Sequence, residues 1–313
     1  MEGIGLAVIL SEHTHPAPLG HPETFERLAL LLSALKGPEM LSLTTGLNLK
    51  EYDIELLQRV HAAHYIDKLR RYNQTGIGYL DPDTYLSATS FAASCDVTWA
   101  LLSAVDAAFG DGPRVSFILG RPPGHHAEAD RGMGFCLVNH IAVAVQHALE
   151  DHGCRRVAVV DFDVHHGNGT QHLFYDRPDM IYISTHQFPF YPGSGAAGEQ
   201  GRGDGMGYTV NFPFSAGAGD SELVSVFQGR ITETLERYEP ELILVSAGFD
   251  GHHLDPLGGF RLTGDGYRQI GAGLRAAADR LCGSRLISLL EGGYSPEGNV
   301  DSITNYIKGL APA

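Results

Sequence analysis

The chain has 313 residues, of which 43% are hydrophobic and 19% charged, and its formal net charge is −15. This length is ample for a buried core and excludes a disulfide-stabilised mini-domain. No run approaches the ~18 consecutive apolar residues that a membrane span needs. No run of Lys and Arg suits the neutralisation of nucleic-acid phosphates. We therefore expect neither a membrane nor a nucleic acid as partner, whereas an acidic surface attracts cationic molecules and Lys-rich peptides.

The beginning of the chain and its cysteines indicate the compartment. Residues 4–10 form a short apolar run without a basic segment before it, which predicts a first strand rather than a signal peptide. The four cysteines form no CxxC pair and are widely spaced: Cys95, Cys136, Cys154 and Cys282. This spacing argues against a disulfide framework or a thiolate zinc site and fits a reducing environment. We expect a cytoplasmic protein.

Apolar runs rich in β-branched residues alternate with helical patterns along the chain. The predicted strands are residues 115–119, 157–162, 242–246 and 286–290, and the predicted helices are residues 137–151, 169–175, 264–281 and 296–308. Continuous apolar strands that alternate with helices are typical of a parallel sheet covered on both faces. We predict a single α/β domain over residues 1–313, with a central parallel sheet flanked by helices on both faces.

Polar residues gather where the predicted strands end. The strand exits carry the sequences RPPGHHA, DFDVHHGNG, STH, SAGFDGHH and EGGY. In an open parallel sheet, ligands bind beyond the carboxyl ends of the strands. The sequence therefore predicts one functional site at this edge of the sheet.

The segment DFDVHHGNG, residues 161–169, predicts a metal site. Because side chains alternate along a strand, Asp161, Asp163 and His165 project from one face, with neighbours about 6–7 Å apart at Cα. Asp163 and His165 suit the chelation of one cation. A catalytic zinc needs a third protein ligand, for which Asp250 is best placed. The alternative makes Asp163 a turn or cap residue and His165 a buried, hydrogen-bonded histidine, but two strand-end carboxylates and the flanking glycines favour a metal.

Two further segments predict acid–base chemistry. His125 and His126 follow a rigid Pro-Pro-Gly sequence and suit a proton-transfer pair, the alternative being two exposed loop histidines. In EGGY the two glycines allow the backbone to approach a ligand, and the Tyr294 hydroxyl suits hydrogen bonding to a developing oxyanion. Considered alone, Tyr294 is more often a packing residue.

Together these segments make the chain resemble a zinc-dependent histone deacetylase of the class II type, in the arginase/deacetylase superfamily. The matching motifs occur in family order: HPETFERL (21–28), RPPGHHA (121–127), GMGFC (132–136), DFDVHHGNGTQ (161–171), YPGSG (191–195), SAGFD (246–250), DPLGG (255–259) and EGGY (291–294). The resemblance covers almost the whole chain, and the motifs are highly specific in combination.

The resemblance implies a role for each matching residue. Asp163, His165 and Asp250 would bind Zn²⁺, with Fe²⁺ or Co²⁺ as alternatives. His126 would be the general base and then the general acid, His125 its electrostatic partner and Tyr294 the group that polarises the amide carbonyl. Asp161 and Asn168 would hydrogen-bond the two histidines. The implied substrate channel comprises Phe135, Tyr191, Leu257, Asp83, Gly134, Gly292 and Gly293. A structural K⁺ is implied near Asp161, Asp163, His165 and the Ser184 hydroxyl.

Several positions depart from the family pattern. Class I members carry an aspartate where Asn168 stands, and Tyr191 replaces the usual phenylalanine of the channel wall. His252 and His253 follow the third ligand, where small or acidic residues are usual, and we expect them to be solvated. Polyamine-selective class II members carry a glutamate in the motif after the third ligand, and Leu257 stands at that position here.

We therefore predict metal-assisted hydrolysis that removes acetyl or other acyl groups from the ε-amine of lysine in peptides or proteins. Small acyl-amines remain as partners, and an acetylpolyamine deacetylase or a catalytically silent acyl-lysine binding protein are the alternatives. An arginase-type enzyme with two Mn²⁺ ions would need further bridging carboxylates, and a plain α/β interaction domain would make the clustering of polar residues a coincidence. The sequence leaves the oligomeric state open.

Overall fold

The computed structural model describes residues 3–9, 15–72 and 76–312. Its strands are β1 (Ile4–Ile9), β2 (Thr44–Gly46), β3 (Gly78–Tyr79), β4 (Tyr85–Leu86), β5 (Val115–Gly120), β6 (Val157–Asp161), β7 (Met180–Gln187), β8 (Thr209–Phe214), β9 (Leu242–Ala247) and β10 (Leu286–Leu290). The predicted first strand is thus observed as β1, and Leu10 lies outside the described residues.

In the described residues, eight strands form one parallel sheet in the order β2-β1-β5-β10-β9-β6-β7-β8, and β3 and β4 form a separate antiparallel pair. The helices are α1 (Ala29–Ala34), α2 (Pro38–Leu43), α3 (Ala63–Arg70), α4 (Ser90–Phe109), α5 (His140–Glu150), α6 (Asn168–Leu173), α7 (Asp220–Val226), α8 (Thr232–Tyr238), α9 (Gly264–Leu281) and α10 (Pro296–Leu310). The predicted fold class is confirmed.

The sheet is covered on both faces because its central strands are apolar on both sides. Along β9, Ile243 and Val245 belong to one hydrophobic core, whereas Leu242 and Leu244 belong to the other. The first core includes residues of α1, α9 and α10, and the second includes residues of α3, α4 and α5. The helices therefore enclose the strands and leave the strand ends as the edge at which polar groups gather.

The helix α4 was not among the predicted elements. By length and composition alone, Ser90–Phe109 is apolar enough to cross a membrane, but 67% of the relevant window is buried inside the protein. Its buried side chains include Val97, Leu101 and Val105, which belong to the second core. The helix is apolar because it packs against the sheet.

Two buried histidines make the stability of the fold decrease at low pH. Burial lowers the pKa of His61 to about 4 and that of His140 to about 3. In the unfolded chain both titrate near pH 6.5, so below that pH the unfolded state binds more protons. Their contribution to stability is complete above about pH 6.5 and is lost as the pH falls towards 4, by about 1.4 kcal/mol per pH unit for each histidine.

We therefore expect His140→Gln to flatten the loss of unfolding free energy between pH 6.5 and 4.5, measured by urea denaturation at several pH values. The exposed His64 in α3 offers a matched control, and His64→Gln should keep the wild-type slope. Equal slopes for His140→Gln and the wild type would contradict a buried, neutral His140.

Candidate active site

The three predicted metal ligands lie together at the carboxyl edge of the sheet. Asp163 and His165 follow β6, and Asp250 follows the neighbouring strand β9. His165 Nδ1 is 3.1 Å from Asp163 Oδ1 and 3.0 Å from Asp250 Oδ2. One ligand atom from each residue lies within 4.8 Å of the other two. The parallel pairing of β6 and β9 thus creates a three-ligand cluster that neither strand contains alone.

The electrostatics of this cluster suit a divalent cation. Asp163 and Asp250 are both fully buried. Burial and the adjacent Asp163 carboxylate raise the pKa of Asp250, because two buried negative charges are unfavourable side by side. Two carboxylates and one imidazole form a hard donor set with room for a fourth ligand, which is typical of a catalytic zinc site. The residues present therefore fit the metal that the family resemblance implies.

A glycine allows the carboxylates to converge. The backbone N–H of Gly292 donates to Asp163 Oδ2 over 2.8 Å. A Cβ at Gly292 would collide with carboxylate oxygens of both Asp163 and Asp250. Gly292 therefore hydrogen-bonds one of the predicted ligands through its backbone and also lines the cavity next to them.

His125 is paired with a carboxylate. Its Nδ1 donates to Asp161 Oδ2 over 3.0 Å, and the Tyr182 hydroxyl donates to the same oxygen over 2.9 Å. Burial acts to lower the pKa of His125, but the Asp161 and Asp163 carboxylates outweigh it and raise that pKa to about 10. His125 is thus held as a cation beside the three-ligand cluster.

His126 is held in the opposite protonation state. Burial and the positive charges of His125 and His165 lower the pKa of His126 well below its usual value. Its Nδ1 lies 2.9 Å from Asn168 Oδ1, and the Asn168 amide nitrogen donates to Glu128 Oε1 over 2.6 Å. Because Glu128 accepts this bond, Asn168 presents its oxygen to His126, which places the imidazole proton on Nδ1 and leaves the Nε2 lone pair free.

The site opens into a cavity of about 230 Å³. Its lining contains most of the predicted catalytic and channel residues: Asp83, Pro123, His125, His126, Gly134, Phe135, Asp163, His165, Tyr191, Leu257, Gly292 and Tyr294. The Tyr191 ring meets the His126 ring edge-on at 5.2 Å. Gly134 has a φ of +56°, and a Cβ there would collide with the His126 ring, so glycine allows the loop to close over the histidine.

Gly293 is the predicted channel residue that does not line this cavity. Its carbonyl oxygen accepts bonds from the Arg27 guanidinium and the Asn299 amide. Its φ is +124°, and a Cβ would meet Asn299 and Phe249. Gly293 therefore turns the chain behind the cavity.

Tyr294 is fixed from three sides. Its backbone N–H donates to Asp255 Oδ2 over 2.6 Å. The Arg27 guanidinium carbon lies 5.1 Å from the centre of the Tyr294 ring, and the Phe135 ring meets it edge-on at 5.8 Å. Burial raises the pKa of the Tyr294 hydroxyl well above its usual value, so the phenol remains a proton donor at neutral pH.

Three carboxylates that support the site were given no role in the sequence prediction. Besides Glu128 and Asp255, Glu291 Oε2 accepts from the backbone N–H of Gly124 over 2.6 Å and of His125 over 3.2 Å. Burial raises the pKa of Glu291 to about 7. Glu291 and Asp255 lie inside the recognised motifs, and Glu128 directly follows one. An acidic residue without an assigned role at such a position is the sequence feature that could have indicated these supporting contacts.

The residues implied for K⁺ lie at the base of the same cluster. Ser184 on β7 is the register partner of Asp161 on β6, and both are fully buried. The Ser184 hydroxyl lies 2.8 Å from His186 Nδ1. The pairing of β6 with β7 thus places Asp161 beside Ser184, and Asp163 and His165 follow Asp161 in the chain.

The expectation that His252 and His253 are both solvated is half wrong. His253 is exposed, but His252 is only 1% exposed. His252 Nε2 lies 3.1 Å from Asp301 Oδ2 of α10. This contact ties the loop after the third ligand to the helix after Tyr294, which the spacing in the sequence did not reveal.

Comparison with known proteins agrees with this geometry. The family model of the histone deacetylase domain matches residues 21–310 of this chain. The chain is 38% identical over 304 residues to the rice (Oryza sativa subsp. japonica) protein named histone deacetylase 10, chloroplastic, covering 91% of this chain and 68% of the relative. It is 34% identical over 298 residues to the human protein named polyamine deacetylase HDAC10, covering 91% of this chain and 44% of the relative.

A solved structure is also similar over nearly the whole chain. The crystal structure of the HDA15 HD domain has a TM-score of 0.90 and 35% sequence identity, covering 98% of this chain and 89% of the other. A domain match across most of the chain, relatives at this identity and a shared fold carry one conclusion. The chain belongs to the histone deacetylase family.

Proposed function

We propose that the protein is a zinc-dependent hydrolase that removes acetyl or other acyl groups from the ε-amine of lysine side chains. The observation that carries the proposal is a single cavity that ends at the ligands Asp163 and His165 and also contains His126 and Tyr294. An acyl-amine whose carbonyl reached the bottom of this cavity would meet the metal ligands, a neutral base and a phenol donor together.

The side chains divide the chemistry between them. When bound, zinc polarises the amide carbonyl and lowers the pKa of water towards about 7. His126 accepts the proton of the attacking water at Nε2, because its Nδ1 proton is held by Asn168. The cationic His125 and the Tyr294 hydroxyl stabilise the negative charge that develops on the carbonyl oxygen. His126 then donates its proton to the leaving nitrogen, which releases a carboxylate and a free amine.

The residues that line the cavity favour acyl-lysine as the substrate. Leu257 lines the cavity at the position of the glutamate in polyamine-selective members, and its backbone N–H is held by Asp255 Oδ1 over 2.9 Å. A leucine packs well against the methylenes of a lysine stem, but it offers nothing to a secondary ammonium that loses its water. The acetylpolyamine alternative draws support from the human relative's name, from Asp83 at the cavity and from the net charge of −15.

The substrate class is tested by comparing kcat/KM for an acetyl-lysine peptide and for N⁸-acetylspermidine. We expect the wild type to prefer the peptide and Leu257→Glu to move the ratio towards the polyamine by about 10- to 100-fold, the range of a hydrogen bond to a charged group. Leu257→Gln has the same length without the charge and should leave the ratio near the wild-type value. A wild-type preference for the polyamine would contradict the proposal, and a chain inactive on both substrates would indicate a silent binding protein.

We further propose that a structural K⁺ binds near Asp161 and Ser184 and that the protein works in a reducing compartment such as the cytoplasm. The first proposal is supported by the buried oxygen atoms that the register of β6 and β7 brings together. The second is supported by the four cysteines, which are all buried as free thiols.

A further inference from the structure

A second cluster of metal-binding side chains lies at the opposite edge of the sheet. Asp106 is in the last turn of α4, His147 in the last turn of α5, and His152 in the loop that follows α5. Asp106 Oδ1 is 2.7 Å from His147 Nε2 and 2.9 Å from His152 Nε2. The three ligand atoms lie within 4.8 Å of one another, as do those of the active-site cluster.

This cluster is separate from the active site. The Asn139 side chain caps α5 beside the catalytic histidine loop and donates to the Ala127 carbonyl oxygen. The helix then runs back to the edge at which β6 begins, as the crossover between parallel strands must. His147 and His152 therefore lie at the end of α5 remote from the cavity.

The surroundings of His147 suit a metal ligand. Its ring is nearly buried, with 7% of the side chain exposed, and Nδ1 is 2.7 Å from Asp151 Oδ2 while Nε2 faces Asp106. A neutral imidazole carries one N–H and cannot donate to two carboxylates. An imidazole that donates from Nδ1 to Asp151 keeps its Nε2 lone pair facing Asp106, where a metal ion would bind.

His147 as a metal ligand would have a complete set of supporting contacts. A metal-bound histidine usually donates its other N–H to a carboxylate, and Asp151 occupies that position. Asp151 is itself held by Arg59, whose Nη2 donates to Asp151 Oδ1 over 3.2 Å. Phe109 stacks on the His152 ring at 4.7 Å and fixes its direction. The ligands are thus oriented before any ion arrives.

Asp106 has one oxygen available for an ion. Lys50 Nζ and the Tyr52 hydroxyl donate to Oδ2, over 2.5 and 2.9 Å. Oδ1 is left to face the two Nε2 atoms. The two histidine rings face this oxygen with their centroids 5.1 Å apart. A single ion could therefore contact all three ligand atoms at once.

We propose that Asp106, His147 and His152 form a second metal site for a divalent transition ion of the Zn²⁺ class. Two imidazoles and one carboxylate match a zinc site with three protein ligands and one position open to water. The ligand atoms would need to separate only slightly, because ligands of tetrahedral zinc lie about 3.3 Å apart at the usual bond lengths. The ion would join the ends of α4 and α5, which pack against each other.

The test is calorimetric titration of the full chain with Zn²⁺ after the active site has been loaded with one equivalent. We expect a second equivalent per chain, with proton release that is measured by repeating the titration in buffers of different ionisation enthalpy. His147→Gln and His152→Gln should lose this second equivalent. Asp151→Asn keeps all three ligands but loses the carboxylate behind His147, and it should bind the second ion about 10- to 100-fold more weakly.

Two controls separate this site from the active site and from the protein surface. His64→Gln removes an exposed histidine and should keep both equivalents. Asp250→Asn should lose the active-site ion and keep the one at Asp106. Circular dichroism checks that each variant is folded. Because His152 is only half-buried, His152→Gln should fold and test the second site even if His147→Gln does not fold. A wild type that binds a single equivalent, or a second equivalent that persists in folded His152→Gln, would overturn the proposal.

Discussion

Asp250→Ala is expected to lose the active-site zinc and all measurable deacetylase activity. Asp250 is the ligand that comes from β9, so its removal leaves Asp163 and His165 from one strand end to hold the ion. Catalytic zinc sites use three protein ligands, and two adjacent ones give much weaker binding. Elemental analysis of the purified variant should show one zinc fewer per chain than the wild type, and His165→Ala should give the same result.

The Asp250 side chain also accepts from the backbone N–H of Val164 over 2.9 Å, so alanine removes a structural contact together with the ligand. Asp250→Asn is the matched variant, because an amide oxygen can keep that contact while the negative charge is lost. It should lose zinc while the thermal stability of the metal-free protein stays close to that of the wild type. Asp111→Asn changes an exposed carboxylate and should keep full zinc. Full zinc in both Asp250→Ala and His165→Ala would contradict the ligand assignment.

Tyr294→Phe should lower kcat on an acetyl-lysine peptide by about 10²- to 10³-fold, the usual effect of removing one oxyanion donor. The substitution keeps the ring, so the contacts with Arg27 and Phe135 remain, and the backbone bond to Asp255 is unaffected. Zinc content should therefore equal that of the wild type.

Tyr191→Phe is the matched control, since it removes a phenol from the wall of the same cavity. Tyr191 contacts the His126 ring through its own ring, and its hydroxyl has no role in the proposed chemistry. Its kcat should stay within a few-fold of the wild type. A Tyr294→Phe enzyme as active as Tyr191→Phe would show that Tyr294 only packs.

The parts of the molecule that could be predicted from the sequence are those with local patterns. The central strands are apolar on both faces, so their runs are continuous, and the residues that follow them were correctly expected at one edge. The helix α4 carries apolar or small residues almost all the way round, with Val97, Ala100 and Leu101 all buried, and therefore lacks the one-sided periodicity that marks a helix. The strand β8 contains Pro213, which argues against a strand in a sequence pattern.

The supporting contacts of the site could not be predicted because their partners are distant in the chain. Glu128 meets Asn168 across 40 residues, and Glu291 meets Gly124 across 167. When one acidic residue stands alone in a motif, the sequence contains no nearby residue that would identify its partner. His252 was misplaced for the same reason, since its partner Asp301 is 49 residues away on another element.

The contact between Arg27 and Gly293 has a consequence for the order in which the protein gains its activity. The hydrogen bond spans 266 residues, and it holds the turn that precedes Tyr294. On the ribosome, the strand ends that supply the metal ligands are synthesised before that turn. Closing so long a loop has an entropic cost, which contacts formed within the sheet can offset. A nascent chain could therefore hold all three proposed ligands before Tyr294 is in place, and the proposed chemistry would begin only when Arg27 meets Gly293.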